Sequence, residues 1–182
     1  MAKKLILITG MSGSGKTTLA NKFRARGVAV VTMGDVIRGL AREKGLPPTP
    51  ENLGRLATGI REEGGDDAVA KLCVEKIDKM PDDIVLVDGI RSIREVEVFG
   101  DRFEVASVAV FASQKTRYAR LTARGRSDDP SELATFKARD DRELSFSLSN
   151  AIALADYIVL NEGSLEDFED EFVNLLTLIG WF

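Results

Sequence analysis

The sequence contains no histidine among its 182 residues. Imidazole general-base chemistry is therefore excluded, leaving carboxylates, lysine, or reactions that need little acid–base help. A single cysteine, Cys73, excludes an internal disulfide and a thiolate metal cluster. Cys73 shares one face of an expected helix with Val69, Leu72, Ile77 and Met80, which reads as a core thiol. A basic excess is missing as well. The 25 Lys and Arg against 29 Asp and Glu leave a net charge of −4, which argues against a general nucleic-acid binder. No apolar run approaches the ~20 residues that span a bilayer. No signal-peptide pattern opens the chain. A soluble, cytoplasmic protein with neither membrane nor nucleic acid as partner is expected. Repeats, low-complexity tracts and linkers are also lacking, so the length suits one α/β domain over residues 1–182.

What is present is an alternation of apolar runs and helical patterns. Strands are expected at Lys4–Ile8, Val28–Thr32, Ile84–Val87, Val105–Phe111 and Tyr157–Leu160. Several are continuous apolar runs, as a parallel sheet covered on both faces requires. Helices are expected near 16–26, 35–44, 51–62, 67–79, 92–98, 114–124, 131–144 and 165–179. The third has Thr49 as N-cap and Pro50 in its first turn. The last opens with Ser164 and Asp167 at capping-box spacing. Its stripe of Leu165, Phe168, Phe172, Leu175, Leu176 and Ile179 reads as core packing. The tail Gly180-Trp181-Phe182 is expected to pack on the domain.

Gly10-Met11-Ser12-Gly13-Ser14-Gly15-Lys16-Thr17 fits G-x-x-x-x-G-K-[ST] and lies between the first strand and the first helix. Strand, glycine loop and helix in that order are the context in which the pattern means phosphate binding. The glycines let backbone N–H groups line a concavity, and the helix N-terminus adds its partial positive charge. Lys16 can reach terminal phosphates, the Thr17 hydroxyl is placed to ligate Mg²⁺, and Thr18 follows on the helix.

Val85-Leu86-Val87-Asp88 is an apolar run ending in an acid, the form of a strand whose Asp holds Mg²⁺ or its water shell. Gly89 follows, and Arg91 is aimed into the same cleft. After the second strand comes Met33-Gly34-Asp35-Val36-Ile37-Arg38. Asp35 is either a helix cap or part of the site, since ligands of open α/β sheets bind beyond the carboxyl ends of strands. Arg38 and Arg91 would converge there as a clamp for a second phosphate, with Arg61 as a third member. A further cluster comprises Arg117, Arg120, Arg124 and Arg126, then Ser127-Asp128-Asp129-Pro130, then Arg139 and Arg142. Arginine suits phosphoryl oxygens because its planar fork is bidentate and permanently charged. Arg120, Arg124, Arg126, Arg139 and Arg142 read as a lid over the phosphates, closing to exclude water. For Arg117 a solvated helix face and a site role both stay open.

On these motifs the chain resembles the P-loop nucleotide kinases of the adenylate kinase and dephospho-CoA kinase group, and is particularly similar to the adenylate-kinase-related proteins of archaea. Met33-Gly34-Asp35 with Arg38 looks like the acceptor-binding turn of nucleoside monophosphate kinases. Asp88-Gly89-Ile90-Arg91 resembles their Asp-Gly-Phe-Pro-Arg, one residue shorter and without the proline. Arg124-Gly125-Arg126-Ser127-Asp128-Asp129 looks like a short kinase lid. Ala155-Asp156-Tyr157 through Asn161-Glu162-Gly163-Ser164 resembles the C-terminal strand and loop of dephospho-CoA kinases, where the loop backs the donor adenine.

The resemblance implies a three-layer α/β P-loop NTPase fold with a five-stranded parallel sheet in the order 2-3-1-4-5. Its core would comprise 1–34, 81–116 and 145–182, with an acceptor-binding helical region at 35–80 and an Arg-rich lid at 117–144. The expected activity is ATP-dependent phosphoryl transfer with Mg²⁺, to AMP or another nucleoside monophosphate. A kinase acting on a hydroxyl, with Asp35 as base, is the nearest rival. An ATP-dependent switch is a third reading. A GTPase switch is disfavoured, because the only Asn-Lys, Asn21-Lys22, lies within a helix and is followed by Phe23-Arg24 rather than x-Asp. A monomer and a homo-oligomer are both compatible with the sequence.

Overall fold

The apolar runs form five strands: β1 (Lys4–Thr9), β2 (Ala29–Thr32), β3 (Ile84–Ile90), β4 (Glu104–Phe111) and β5 (Tyr157–Leu160). The computed structural model describes residues 3–125, 132–145 and 147–182. All strand pairs are parallel, in the order β2-β3-β1-β4-β5. The helices of the described residues are α1 (Lys16–Ala25), α2 (Met33–Glu43), α3 (Pro50–Gly64), α4 (Ala68–Asp78), α5 (Ile93–Gly100), α6 (Gln114–Arg124), α7 (Leu133–Ser145), α8 (Leu148–Ala153) and α9 (Leu165–Ile179).

The period-two alternation of strand side chains divides the core between the two faces of the sheet. Leu5, Leu7, Val31, Val85 and Val87 join Met33, Ile37, Val69, Cys73, Ile77 and Phe99 on one face. Ile6, Ile8, Leu86, Val108, Val110 and Val159 join Leu19 and Phe23 of α1 and Phe168, Phe172 and Leu175 of α9 on the other. Each such fully buried aliphatic or aromatic side chain contributes about 1.5–3 kcal/mol. Trp181 packs on this second core, and the Phe182 ring lies 5.8 Å from that of Phe23, so the tail does fold back on the domain. Among the described residues no helix is long and apolar enough to cross a membrane.

Local chemistry sets the element boundaries. The Thr49 hydroxyl accepts from Asn52 N at the start of α3, and Ser164 and Asp167 form a reciprocal capping box on α9. α2 begins two residues before its expected start because Thr32, not Asp35, caps it: the Thr32 hydroxyl accepts from the Asp35 amide at 3.1 Å. Strand β3 runs past Asp88 to Ile90. Its pairing with β1 skips one residue, with Ile8 opposite Asp88 and Thr9 opposite Ile90. The unpaired residue is Gly89, at φ 104°, a conformation that suits glycine and forms a bulge beside the site. Helix α8 was not expected from the sequence. Its six residues are too few to show a periodic pattern, and it is held by buried Leu148 and Ala151.

Candidate functional site

The glycine loop follows β1 and delivers Lys16 at the first position of α1. It sits at the carboxyl end of the sheet between β3 and β4, the neighbours of β1. Two of its glycines are required by close approach. A Cβ on Gly10 would run into the Val110 carbonyl oxygen, and one on Gly15 into the Asn161 side-chain amide; both glycines have positive φ. That same Asn161 amide donates to Ser14 O at 2.7 Å. Arg120 in turn donates to Asn161 O at 2.8 Å and Asn161 Oδ1 at 3.2 Å. Asn161, itself held by Arg120, therefore braces the loop.

In front of the loop opens a cleft of about 580 Å³. It is lined by Ser12, Gly13, Gly15, Lys16, Thr17 and Thr18, by Arg120, Arg124 and Arg139, and by Asn161 and Gly163. Leu165, 78% exposed, and Phe168 add an apolar wall that the sequence analysis assigned only to core packing. The loop residues and the β5–α9 turn are thus brought to one cavity. Arg142 is exposed, and Arg139 is the member of the pair that faces this cleft. Arg126, like Ser127, Asp128, Asp129 and Pro130, lies outside the described residues.

Lys16 folds back on the loop, donating to Gly10 O at 2.7 Å and Met11 O at 3.0 Å. Burial lowers its pKa, while the charges of Glu143 and Asp88 oppose the shift. Glu143, on α7, was not anticipated. Its Oε2 accepts from Ser12 N at 2.9 Å, so a carboxylate of the chain takes an N–H of the phosphate loop. Glu143 also borders a small space of about 70 Å³ with Gly10, Lys16, Gly89 and Arg91. That space joins the loop to the opposite half of the site.

Asp88 projects beside Lys16. Its Oδ1 is buried without a hydrogen-bond partner, and burial raises its pKa, opposed chiefly by the Lys16 charge. The orphaned Asp88 oxygen and the exposed Thr17 are hard oxygen donors, a donor set that fits a divalent cation held partly by protein and partly by phosphate and water. Among the described residues no group of three or more acidic or cysteine side chains forms an all-protein metal cage.

The second half of the site is a cleft of about 280 Å³ beyond β2 and β3. Arg38, Arg61 and Arg91 line it together with Gly34 and Gly89, over an apolar surface of Met33, Ile37, Leu53, Ala57 and Val69. Asp35 is placed differently. It lines a separate groove with Glu43, Leu72 and Lys76. Its carboxylate is bonded to the Thr32 hydroxyl and takes two bonds from Arg38, at 2.9 and 2.6 Å. The Thr32 hydroxyl, followed by Arg38, holds the Asp35 carboxyl below its ordinary range.

Arg117 is neither solvated nor in the cleft. It is 5% exposed. It forms a bidentate pair with Asp140 at 2.8 and 2.6 Å and donates to Ser12 O at 3.1 Å, with its guanidinium against the Phe136 ring. Its place in the arginine run is thus structural, joining α6 to α7 and to the loop.

A family model described as an AAA domain matches residues 6–143. A UPF0200 protein of Hyperthermus butylicus is 49% identical over 173 residues, covering 95% of this chain and 93% of its own length. The chain belongs to the UPF0200 family. Another member, from Pyrococcus furiosus, is 43% identical over 180 residues, covering 96% of this chain and 97% of its own. Among solved structures, shikimate kinase from Bacteroides thetaiotaomicron superposes with a TM-score of 0.66 at 17% identity, over 97% of this chain and 98% of that one. TT1252 from Thermus thermophilus does so with a TM-score of 0.63 at 22% identity, over 98% of both chains. The fold of this UPF0200 chain is therefore the P-loop kinase fold, the scaffold of nucleotide-binding phosphotransferases.

Glu95 is the second residue missed by the sequence analysis. It lies on α5, is 2% exposed, and accepts from Arg91 N at 2.7 Å. A Glu three residues after a Ser reads from sequence as part of a helix start, and the Ser92 hydroxyl does accept from Glu95 N at 3.3 Å. Its burial against the arginines was not visible in that pattern.

Proposed function

We propose that this chain is an ATP-dependent phosphotransferase whose acceptor is a nucleoside monophosphate. The observation that carries the proposal is the cleft in which Arg38, Arg61 and Arg91 meet over Met33, Ile37, Leu53, Ala57 and Val69. Guanidinium groups from three elements above an apolar surface suit a ligand with an anionic head and a flat apolar body. The helical region 35–80 would receive that acceptor, and 117–144 would close over the donor.

The donor phosphates would take the loop N–H groups, with Lys16 turning from Gly10 O and Met11 O toward the phosphate oxygens. Thr17 and Asp88 would hold Mg²⁺, which supplies charge neutralisation at the phosphates. Arg120, Arg124 and Arg139, which line the donor cleft, and Arg126 and Arg142 from the same lid sequence would balance charge on the transferring group. Leu165, with Asn161 and Gly163, would border the donor base. Arg38 and Arg91 would grip the acceptor phosphate, with Arg61 beside them and Gly34 leaving room. Such positioning and electrostatics supply nearly all the catalysis that phosphoryl transfer requires. A monophosphate oxygen is already anionic, so no base is needed. This agrees with an Asp35 engaged by Thr32 and Arg38 and with a weakened basicity.

A hydroxyl acceptor is the second reading. It is favoured by Glu143, whose carboxylate borders the space between Lys16 and Arg91. It also has a precedent in the shikimate kinase neighbour, named for a hydroxylated substrate. The deciding experiment measures ADP formation from ATP with a panel of nucleoside monophosphates, nucleosides and dephospho-CoA. Stimulation by monophosphates, with KM for the monophosphate raised in Arg38→Ala and Arg91→Ala, is the expected result. Stimulation by hydroxyl acceptors alone would select the second reading. ATP turnover indifferent to every acceptor would replace both with a nucleotide-dependent switch.

A further inference from the structure

Arg61 and Arg91 approach the acceptor cleft from different elements, Arg61 from the last turn of α3 and Arg91 from the residue after β3. Side chains this long lose much freedom when fixed, so a clamp built from them needs something to hold it. Arg61 has a bond to its own helix, Nη1 to Ala57 O at 3.2 Å. Across the elements its partner is Glu95, with Nη2 at 3.9 Å from Oε1. The other carboxylate oxygen of Glu95 receives the Arg91 amide at 2.7 Å. One carboxylate thus meets both arginines.

Both arginines form a shared wall. They line the acceptor cleft and also a neighbouring polar chamber of about 410 Å³, whose lining includes Glu95 itself. A glutamine at this position would satisfy the Arg91 amide without burying a charge. What only the carboxylate adds is attraction for guanidinium groups. Burial pushes the Glu95 carboxyl upward, while the Arg91 amide and the charges of Arg61 and Arg91 pull it back. A buried carboxylate is costly unless paired, and the residues that pair it are two members of the proposed clamp.

We propose that Glu95 is the positioning residue of the acceptor clamp, fixing the Arg91 backbone and the Arg61 guanidinium at the wall of the cleft where Arg38 also projects. This rests on reading that cleft as the acceptor site. Glu95 contacts neither acceptor nor donor in this role. It ties the helical region to the sheet through the two guanidinium-bearing residues, so its removal changes how an acceptor is held and leaves the donor cleft intact.

The test compares Glu95→Gln, Glu95→Asp and Glu95→Ala with the full-length protein. Steady-state kinetics with ATP and AMP should show KM for AMP raised by about ten- to a hundredfold in Glu95→Ala. KM for ATP should stay within about twofold if binding at the donor cleft is untouched. Glu95→Asp should recover part of the loss, and adding Arg61→Ala to Glu95→Gln should cost little more, because the two act as one unit. Equal rises in both KM values, or full additivity, would overturn the proposal.

A second readout does not depend on the acceptor. Side-chain ¹⁵N resonances of Arg61 in the nucleotide-free protein should move toward solvent-exposed values in Glu95→Gln, the near-isosteric variant that best preserves folding and the bond to the Arg91 amide. Unchanged resonances would overturn the proposal whatever the kinetics. If the resonances move as expected but the wild-type protein turns over no monophosphate, the acceptor reading fails while the Glu95 tether stands.

Discussion

Glu143 places a carboxylate on the loop that the donor phosphates would use, and removing it should strengthen nucleotide binding. Glu143 Oε2 holds the Ser12 amide at 2.9 Å. Its side chain is 24% exposed, so the bond is only partly screened by water. A hydrogen bond to a charged group contributes about 1.5–3 kcal/mol net. Since about 1.4 kcal/mol is a factor of ten, displacement of Glu143 by phosphate should weaken ATP binding by about ten- to a hundredfold. Glu143→Ala should regain that factor. Glu143→Gln keeps an acceptor without its charge, where a neutral bond is worth about 0.5–1.5 kcal/mol, and should regain a smaller part. Isothermal titration of each variant with ATP, with and without Mg²⁺, measures the effect directly. Unchanged or weaker ATP binding in Glu143→Ala would refute the reasoning. A fall in kcat of about a hundredfold or more, the size of a general-base contribution, with ATP affinity unchanged would do so more sharply. It would make Glu143 the base for a hydroxyl acceptor.

Other outcomes follow from buried charges and from the core thiol. Breaking the Arg117–Asp140 pair, whose side chains are each 6% exposed, by Asp140→Ala should cost about 3–5 kcal/mol in denaturant unfolding. Asp88→Asn should abolish Mg²⁺-dependent transfer yet stabilise the metal-free protein at neutral pH. Because burial raises the Asp88 pKa above its unfolded value of 3.8, stability falls as pH rises from that value through the folded pKa, and the asparagine variant should lack this loss. Burial pushes the Cys73 thiol up to about 12, so native protein should resist iodoacetamide at pH 8 and react only on unfolding, as mass spectrometry would show. Lys16→Ala should abolish transfer while circular dichroism stays native; full activity would remove Lys16 from the mechanism.

The strands and the glycine loop were legible because their signals are local. Leu5-Ile6-Leu7-Ile8 followed by the loop names a buried strand and its successor, and the order of the sheet followed from the resemblance those residues carry. Boundaries moved where a side chain outside the pattern took charge. Thr32 capped α2 in place of Asp35, and Gly89 extended β3 through a bulge. The convergence of Arg38 and Arg91 was expected from strand ends, with Arg61 joining them from the end of a helix, and all three line one cleft. Arg117, Glu95 and Glu143 were illegible for one reason. The first and third are defined by partners more than a hundred residues away, Ser12 in both cases. Glu95 is defined by depth in the fold, since its nearest ion partner lies on another helix. Spacing on one element carries none of that information.

Ser12 is held through both of its backbone polar groups by the far half of the chain. Its N–H goes to Glu143 and its C=O to Arg117, which is itself locked to Asp140. The loop sequence is complete by residue 17, yet its geometry is finished only when α6 and α7 arrive. Closing such long chain loops is entropically slow and comes late in folding. The anion pocket thus matures as a product of the whole chain rather than of its first supersecondary unit. A nascent or truncated chain would carry the motif without the brace that Arg117 and Asp140 give it, and the same far half supplies, in Glu143, the carboxylate that an arriving phosphate would have to displace.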